Sequence, residues 1–149
     1  MKFLALMTKT ADGYAGLVPE LTVLAVGDSP EEVQQALAQG VSLYLQDVPD
    51  ARPLARHLAE LPEDVQADYA GTDVQEVLLE PAPMNPVSLE VKRAIDASGL
   101  SYREVARRMG TGHAAISRMA NPFYWGHSLP ALHRLADVLG VQVQLKLSA

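Results

Sequence analysis

Residues 101–119 read SYREVARRMGTGHAAISRM, a pattern that predicts two short helices joined by a tight turn. A helix-turn-helix needs a small residue where its helices press together, a turn residue that tolerates unusual backbone angles, and a branched residue that anchors the second helix. Ala106, Gly110 and Ile116 supply these in order, at intervals of four and six residues. We therefore expect the chain to reverse at Gly110, and Ala106 and Ile116 to share one core.

The second helix of such a motif enters the major groove of DNA with its N-terminal part. We expect it to face base edges, with Arg118 suited to guanine and Ala114 to a thymine methyl group. The first helix crosses the phosphate backbone, although Arg103, Arg107 and Arg108 could instead be a solvated helix face. The predicted DNA-binding residues are Ser101, Tyr102, Arg103, Arg107, Thr111, Gly112, His113, Ala114, Ser117, Arg118 and Asn121.

Helical patterns surround this motif on both sides. One helix is predicted from Asn85-Pro86 to Ser98-Gly99, and another over residues 129–139 with Gly140 as its stop signal. Ser101 and Glu104 predict a capping box at the start of the motif. In the loop before the last helix, we expect Tyr124 and Trp125 to cap the helical core rather than to touch nucleic acid.

After Gly140, apolar and polar residues alternate with the period of a half-buried strand. A helical domain offers this strand no partner, so we expect it to pair with the same strand of a second subunit. Such a two-fold dimer would place two recognition helices roughly 34 Å apart, about one turn of DNA. The alternative is pairing with the chain's own N-terminal sheet. The predicted dimerisation residues are Val141, Val143, Leu145 and Leu147.

The first half of the chain predicts a small sheet with one helix. Apolar runs over residues 2–8, 14–18 and 22–26 predict three short strands separated by turn residues. Ser29 as N-cap and Glu32 as its capping-box partner predict a helix over residues 30–46. Its apolar stripe would cover one sheet face. Residues 74–80 predict a fourth strand, whereas the proline-interrupted residues 48–73 indicate at most a short helix over 54–61.

These patterns together predict an α+β protein with two domains and different partners. Residues 1–80 form a β-β-β-α-β domain, the proline-rich residues 81–86 a linker, and residues 87–149 a helix-turn-helix domain that ends in a β-strand. Residues 1–85 contain four basic and fourteen acidic residues, a net charge of −10, whereas residues 86–149 contain eight and four, a net charge of +4. DNA, a polyanion, is repelled by the first half and attracted by the second.

The composition also disfavours several classes of protein. Without cysteine the chain has no disulfides, thiolate metal sites or cysteine nucleophiles. No apolar run approaches the roughly 20 residues of a membrane helix, and no secretion signal is visible, so we expect a cytoplasmic protein that does not contact membranes. Because no nucleophile, base or metal cluster converges, and none of the four histidines has ligand partners, we expect neither an enzyme nor a cofactor.

Two segments resemble known families. Residues 101–119 resemble the helix-turn-helix of the lambda-repressor-like (XRE) family, including its Ala, Gly and Ile positions. DGYAGLVPEL (12–21) and GDSPEEVQQALAQGVSLYLQ (27–46) resemble HicB antitoxins, whose sheet-and-helix domain is described as a partial ribonuclease H-like fold. The resemblance covers most of the chain except residues 48–73. The chain departs from the family pattern before the third strand. The family often has a Pro-Gly-Cys-like turn there, whereas this chain has Pro19-Glu20-Leu21-Thr22.

The resemblance implies an antitoxin that is also an autorepressor. In that family the N-terminal domain masks a small basic mRNA-cleaving toxin of the HicA type, and the C-terminal domain binds double-stranded operator DNA. The acidic first half independently suits a basic partner. The alternatives are a stand-alone transcriptional regulator with an N-terminal ligand-sensing or oligomerisation domain and, last, an enzyme with an accessory DNA-binding domain. We expect a homodimer or higher homo-oligomer in either case.

Overall fold

One antiparallel sheet organises the first half of the chain in the computed structural model, which describes residues 1–149. Its strands are β1 (Phe3–Lys9), β2 (Tyr14–Val18), β3 (Val23–Gly27) and β4 (Val74–Leu79). They lie in the order β3-β2-β1-β4, and all neighbours are antiparallel. The four predicted strands are confirmed, each within one residue at either end.

Helix α1 (Pro30–Asp47) packs on one face of this sheet. It begins as predicted, because the Ser29 hydroxyl accepts a hydrogen bond from the Glu32 N–H at 3.2 Å. The Glu32 carboxylate accepts from the Asp28 N–H at 2.9 Å, one residue earlier than a capping box requires. The buried apolar core of this face comprises Phe3, Ala5, Met7, Val18, Leu21, Val33, Leu37, Val41 and Leu79.

A glycine allows α1 to lie close to β2. A Cβ atom at Gly16 would be only 2.7 Å from Leu37 Cδ1 and 2.7 Å from Val33 Cγ1. Because Val33 and Leu37 are completely buried, neither side chain has space to move aside. The absence of a side chain at Gly16 therefore sets the distance between helix and sheet.

Residues 48–73 cover part of the opposite sheet face, where they bury Leu4 and Leu6 of β1. They contain a three-residue 3-10 helix (Leu58–Glu60) and α2 (Glu63–Asp68). The predicted short helix over 54–61 is therefore wrong in extent, and α2 was not predicted. Long-range hydrogen bonds hold most of this segment in place of a regular helix.

Two carboxylates fix the segment, one in the turn between β2 and β3 and one in β4. Glu20 accepts hydrogen bonds from the N–H groups of Leu54 at 2.8 Å and Ala55 at 3.1 Å. Glu76 of β4 accepts from the Leu58 N–H, and this bond lowers the pKa of Glu76 below its ordinary value. These partners are 18 to 35 residues apart in the chain, so local periodicity carries no signal for them.

The chain divides into two compact units, Met1–Pro83 and Met84–Ala149, so the boundary falls within the proline-rich segment 81–86. The second unit has four helices, α3 (Pro86–Ser98), α4 (Tyr102–Met109), α5 (His113–Met119) and α6 (Leu129–Leu139). Gly99, Gly110 and Gly140 end three of them with φ values of 74°, 71° and 69°. The buried apolar core of this unit comprises Val91, Ile95, Val105, Ala106, Ile116, Met119, Ala120 and Leu135. The α+β class is confirmed.

Two expectations for the second unit are wrong. Trp125 does not cap the core, because 60 % of it is exposed, whereas the Tyr124 ring packs edge-on against His127 with ring centroids 5.0 Å apart. Residues 141–149 form no strand, and the sheet consists of β1 to β4 alone. A strand needs a backbone partner, which four helices do not provide. Leu145 and Leu147 of this segment are 69 % and 90 % exposed.

Candidate nucleic-acid interface

The turn between α4 and α5 has the geometry that its sequence predicts. Gly110 lies in the left-handed region, and the N–H of Thr111 donates to the Ala106 carbonyl at 2.9 Å, which closes the end of α4. Ala106 is 3 % exposed and Ile116 is fully buried, and both belong to the same core. The two helices therefore press together at the small residue, and α5 is anchored by the branched one.

The outer side of α5 is open to solvent. His113, Ala114 and Arg118 are exposed, as is Gly112 at the N-cap position, while Ser117 is half-buried. The His113 ring lies 6.1 Å from that of Tyr102, centroid to centroid, and its Nδ1 is 3.4 Å from the Ser117 hydroxyl. These contacts bring together predicted residues from the starts of both helices.

Helix α4 pairs its cations within the helix. The Ser101 hydroxyl accepts from the Glu104 N–H at 3.1 Å, but the Glu104 carboxylate does not return a bond to the cap. It accepts from Arg107 and from Arg108 instead, which lowers its pKa to about 2 and raises the pKa of Arg107. The predicted capping box is therefore only half formed. The spacings of three and four residues were a readable signal for these ion pairs.

Ion pairing sorts the eight cations of the second unit into two sets. Lys92, Arg93, Arg107 and Arg108 each lie within 4.0 Å of a carboxylate on their own helix. The set with no such partner comprises Arg103, Arg118, Arg134 and Lys146. An unpaired guanidinium can meet a phosphate or base edge without first giving up a carboxylate.

Two of these unpaired arginines, Arg118 of α5 and Arg134 of α6, line the same cavity of about 380 Å³. We call it the arginine cavity. Its other lining residues are Met109, Gly110, Thr111, Ala115, Met119, Tyr124 and Ala131. Arg134 was not among the predicted DNA-binding residues. Its outward position on an amphipathic helix is visible in the sequence, but its proximity to Arg118 depends on how α5 and α6 fold together.

The remaining predicted residues lie around α4 and α5. Arg103 and Thr111 are exposed, on α4 and in the turn respectively. Asn121 is also exposed, but its side-chain oxygen accepts from the Phe123 N–H at 2.9 Å and so shapes the loop after α5. Asn121 thus has a local structural partner, whereas Arg103 and Thr111 have side chains free for a ligand.

A serine, a histidine and an asparagine meet at the start of α3, but their geometry is structural. The Ser88 hydroxyl is 3.3 Å from His127 Nε2, and the Asn85 amide is 3.3 Å from His127 Nδ1. His127 Nε2 also lies 2.7 Å from the Met119 carbonyl, so the hydrogen-bond pattern places the ring proton there. Because Ser88 is completely buried, its hydroxyl is closed to any substrate.

No three His, Cys, Asp or Glu side chains converge in a manner that could hold a metal ion. None of the helices has the length and apolar character needed to span a membrane. Comparison with models of known protein families finds no match, and comparison with curated proteins finds no relative.

Proposed function

We propose that this protein is a DNA-binding regulator that serves as an antitoxin and represses its own operon from the cytoplasm. The observation that carries the proposal is the solvent-exposed outer side of α5, which bears an unpaired Arg118 next to a turn of helix-turn-helix geometry. Such a helix can enter the major groove, and an arginine there can bind guanine through two hydrogen bonds.

The separation of charge supports two different partners. The first unit carries four basic and fourteen acidic residues, and the second carries eight and four. The positive unit suits operator DNA, and the negative unit suits a small basic toxin of the HicA type, as the family resemblance implies. In this proposal the sheet-and-helix unit serves as the toxin-binding module.

The exposed C-terminal residues support a two-fold dimer in this proposal. Val141, Leu145 and Leu147 are 48 %, 69 % and 90 % exposed, an unusual apolar content for an unpaired chain end. A two-fold contact between residues 141–147 of two subunits would cover these side chains. It would also set two α5 helices on successive turns of one operator.

The DNA-binding part is tested with duplexes from the region upstream of the gene and random duplexes of equal length. Arg118→Ala is expected to weaken operator binding by about 1–3 kcal/mol and to reduce the preference for operator over random DNA. Arg107→Ala is expected to weaken both duplexes alike. Fluorescence anisotropy at fixed salt measures both constants. Equal losses on operator and random DNA for both variants would contradict the assignment of Arg118.

The antitoxin part is tested by co-expression with any small basic protein that the reading frame next to this gene encodes. Rescue of growth from that protein, together with a stable complex, supports the antitoxin function. If the chain binds operator DNA but no such partner protein, the result would favour the alternative function, a stand-alone transcriptional regulator. Nuclease activity of the purified chain that is abolished by Asp12→Asn would instead indicate an enzyme.

A further inference from the structure

Strand β3 is an open edge of the sheet. It pairs with β2 on one side only, because the strand order is β3-β2-β1-β4. Its sequence, VLAVG, contains no charge and no proline, the residues that usually protect an edge strand from other strands. Leu24 and Val26 on this strand are 73 % and 80 % exposed. The strand therefore offers both free backbone groups and apolar side chains.

The opposite edge differs. Strand β4 carries Gln75 and Glu76, and Glu76 binds the Leu58 N–H and lies 3.4 Å from His57 Nδ1. The β4 edge therefore carries a charged side chain, and a segment of the chain is hydrogen-bonded to that side chain. The contrast within one sheet indicates that the bare edge at β3 is a specific feature of this surface and not a general property of the fold.

The apolar surface at β3 continues onto β2. Leu17 is paired with Leu24, and Ala15 with Val26, so each pair lies on one face of the sheet. This is the face opposite α1, since the alternate residues Val23 and Ala25 pack against the α1 core. Leu17 and Ala15 are half-buried. We call these four side chains, with the free edge of β3, the β3 surface.

Charge decides what kind of molecule fits the β3 surface. The exposed carboxylates of Asp28, Glu31 and Glu32 follow β3 directly, in a unit that carries fourteen acidic and four basic residues. A second copy of this unit would bring like charges together, whereas a basic partner is attracted and steered to the site. The surface suits a strand whose backbone pairs with β3 and whose flanks carry Lys or Arg.

We propose that the β3 surface is the docking site for a basic protein partner, which adds one strand to the sheet beside Val23–Gly27. Backbone hydrogen bonds supply the affinity, and Leu24 and Val26 receive alternate apolar side chains of the partner strand. The inference rests on the proposed function, in which the partner is the small basic toxin. The β3 surface is then the part of this chain that binds the toxin.

The test compares full-length Leu24→Lys and Val26→Lys with wild type. Leu43→Lys is the control, because Leu43 is 45 % exposed on α1 and the variant makes the same change in charge away from β3. Calorimetry measures the Kd for a small basic protein encoded by the reading frame next to the gene. Each β3 variant is expected to raise the Kd by about tenfold or more, and the control by less than about twofold. Unchanged circular dichroism shows that the variants fold.

Three outcomes would overturn the inference, and they can be told apart. If wild type binds the basic protein and both β3 variants bind equally well, the toxin docks elsewhere and the antitoxin function stands. If the β3 variants lose self-association in sedimentation experiments but keep toxin affinity, the occupant is a second copy. If wild type does not bind the basic protein at all, the proposed antitoxin function fails together with the docking site.

Discussion

The carboxylate of Glu104 accepts two hydrogen bonds from the guanidinium of Arg107, at 2.9 Å from Nε and 2.5 Å from Nη2. Arg108 Nε adds a third at 2.9 Å. One acidic residue thus holds two of the cations that α4 would present to a DNA backbone. Phosphate groups have to compete with Glu104 for both of them.

Replacing Glu104 with Gln is expected to strengthen binding to any duplex, because Arg107 and Arg108 lose their competing carboxylate. If both then contact phosphates, the plot of log K against log salt should steepen by about one to two. Glu90→Gln is the matched control, since Glu90 pairs with Arg93 on α3 and its loss changes the net charge equally. Identical effects of the two variants would mean that only total charge matters.

The same ion pairs make the stability of the second unit depend on pH. The pKa of Glu104 falls from 4.5 to about 2 in the folded chain. The ionised carboxylate therefore stabilises the fold at pH values above about 4.5, and this contribution is lost as the pH falls from about 4.5 through about 2. We expect the difference in Tm between wild type and Glu104→Gln to be constant from about pH 7 to 5 and to shrink below that. A pH-independent difference would refute the pairing.

Asn85 fastens α3 to the loop before α6. Its side-chain oxygen accepts from the Val87 N–H at 3.0 Å, and its amide donates to the Tyr124 carbonyl at 2.9 Å, in a site where Asn85 is 5 % exposed. Asn85→Ala should lower the free energy of unfolding by about 1–3 kcal/mol. Trp125, the sole tryptophan, reports this unit alone in urea titrations followed by fluorescence. A loss below about 0.5 kcal/mol would contradict the role given to Asn85.

Gly16→Ala is expected to destabilise the first unit by about 1–3 kcal/mol, because the new methyl group meets Val33 and Leu37 at 2.7 Å. Far-UV circular dichroism should show the loss, while Trp125 fluorescence should not. Leu37→Ala opens space at the same place, so the double variant should lose less than the sum of the single losses. Strict additivity would show that the cost of the methyl group at residue 16 does not come from its contact with Leu37.

Removal of residues 141–149 is expected to give monomers by light scattering, while wild type forms dimers. Leu145 and Leu147 are the exposed apolar residues at the end of that segment. Replacing both with Ser should weaken the dimer and leave the helical content unchanged. A truncated chain that still dimerises would place the subunit contact elsewhere.

Local signals were sufficient for most of the secondary structure. The predicted start of α1 at Ser29 and the helix stops at Gly99 and Gly140 are confirmed, because each depends on residues within four positions of one another. Residues 48–73 could not be predicted, since Glu20 and Glu76 hold them through bonds to distant backbone groups. Their conformation is determined by tertiary contacts.

The candidate site shows the same division. The turn at Gly110 and the exposed face of α5 follow from spacing and periodicity. The pairing of Glu104 with Arg107 was equally readable from their three-residue spacing, although the capping-box and helix-turn-helix patterns predict other partners for these two residues. The meeting of Arg118 with Arg134 in the arginine cavity was not readable, because the packing of α6 on α5 decides it.

The order of strands in the sheet has a consequence for synthesis. The first strand to leave the ribosome, β1, lies between β2 and β4. Five of its side chains are buried in the folded protein, so β1 exposes the most apolar surface when its neighbours are missing. β2 follows β1 closely in the chain and can pair with it early, whereas the other edge of β1 stays unpaired until Val74–Leu79 has been synthesised. A nascent chain, or one cut short before residue 74, therefore presents a bare apolar strand to its neighbours, and such fragments should aggregate or be degraded.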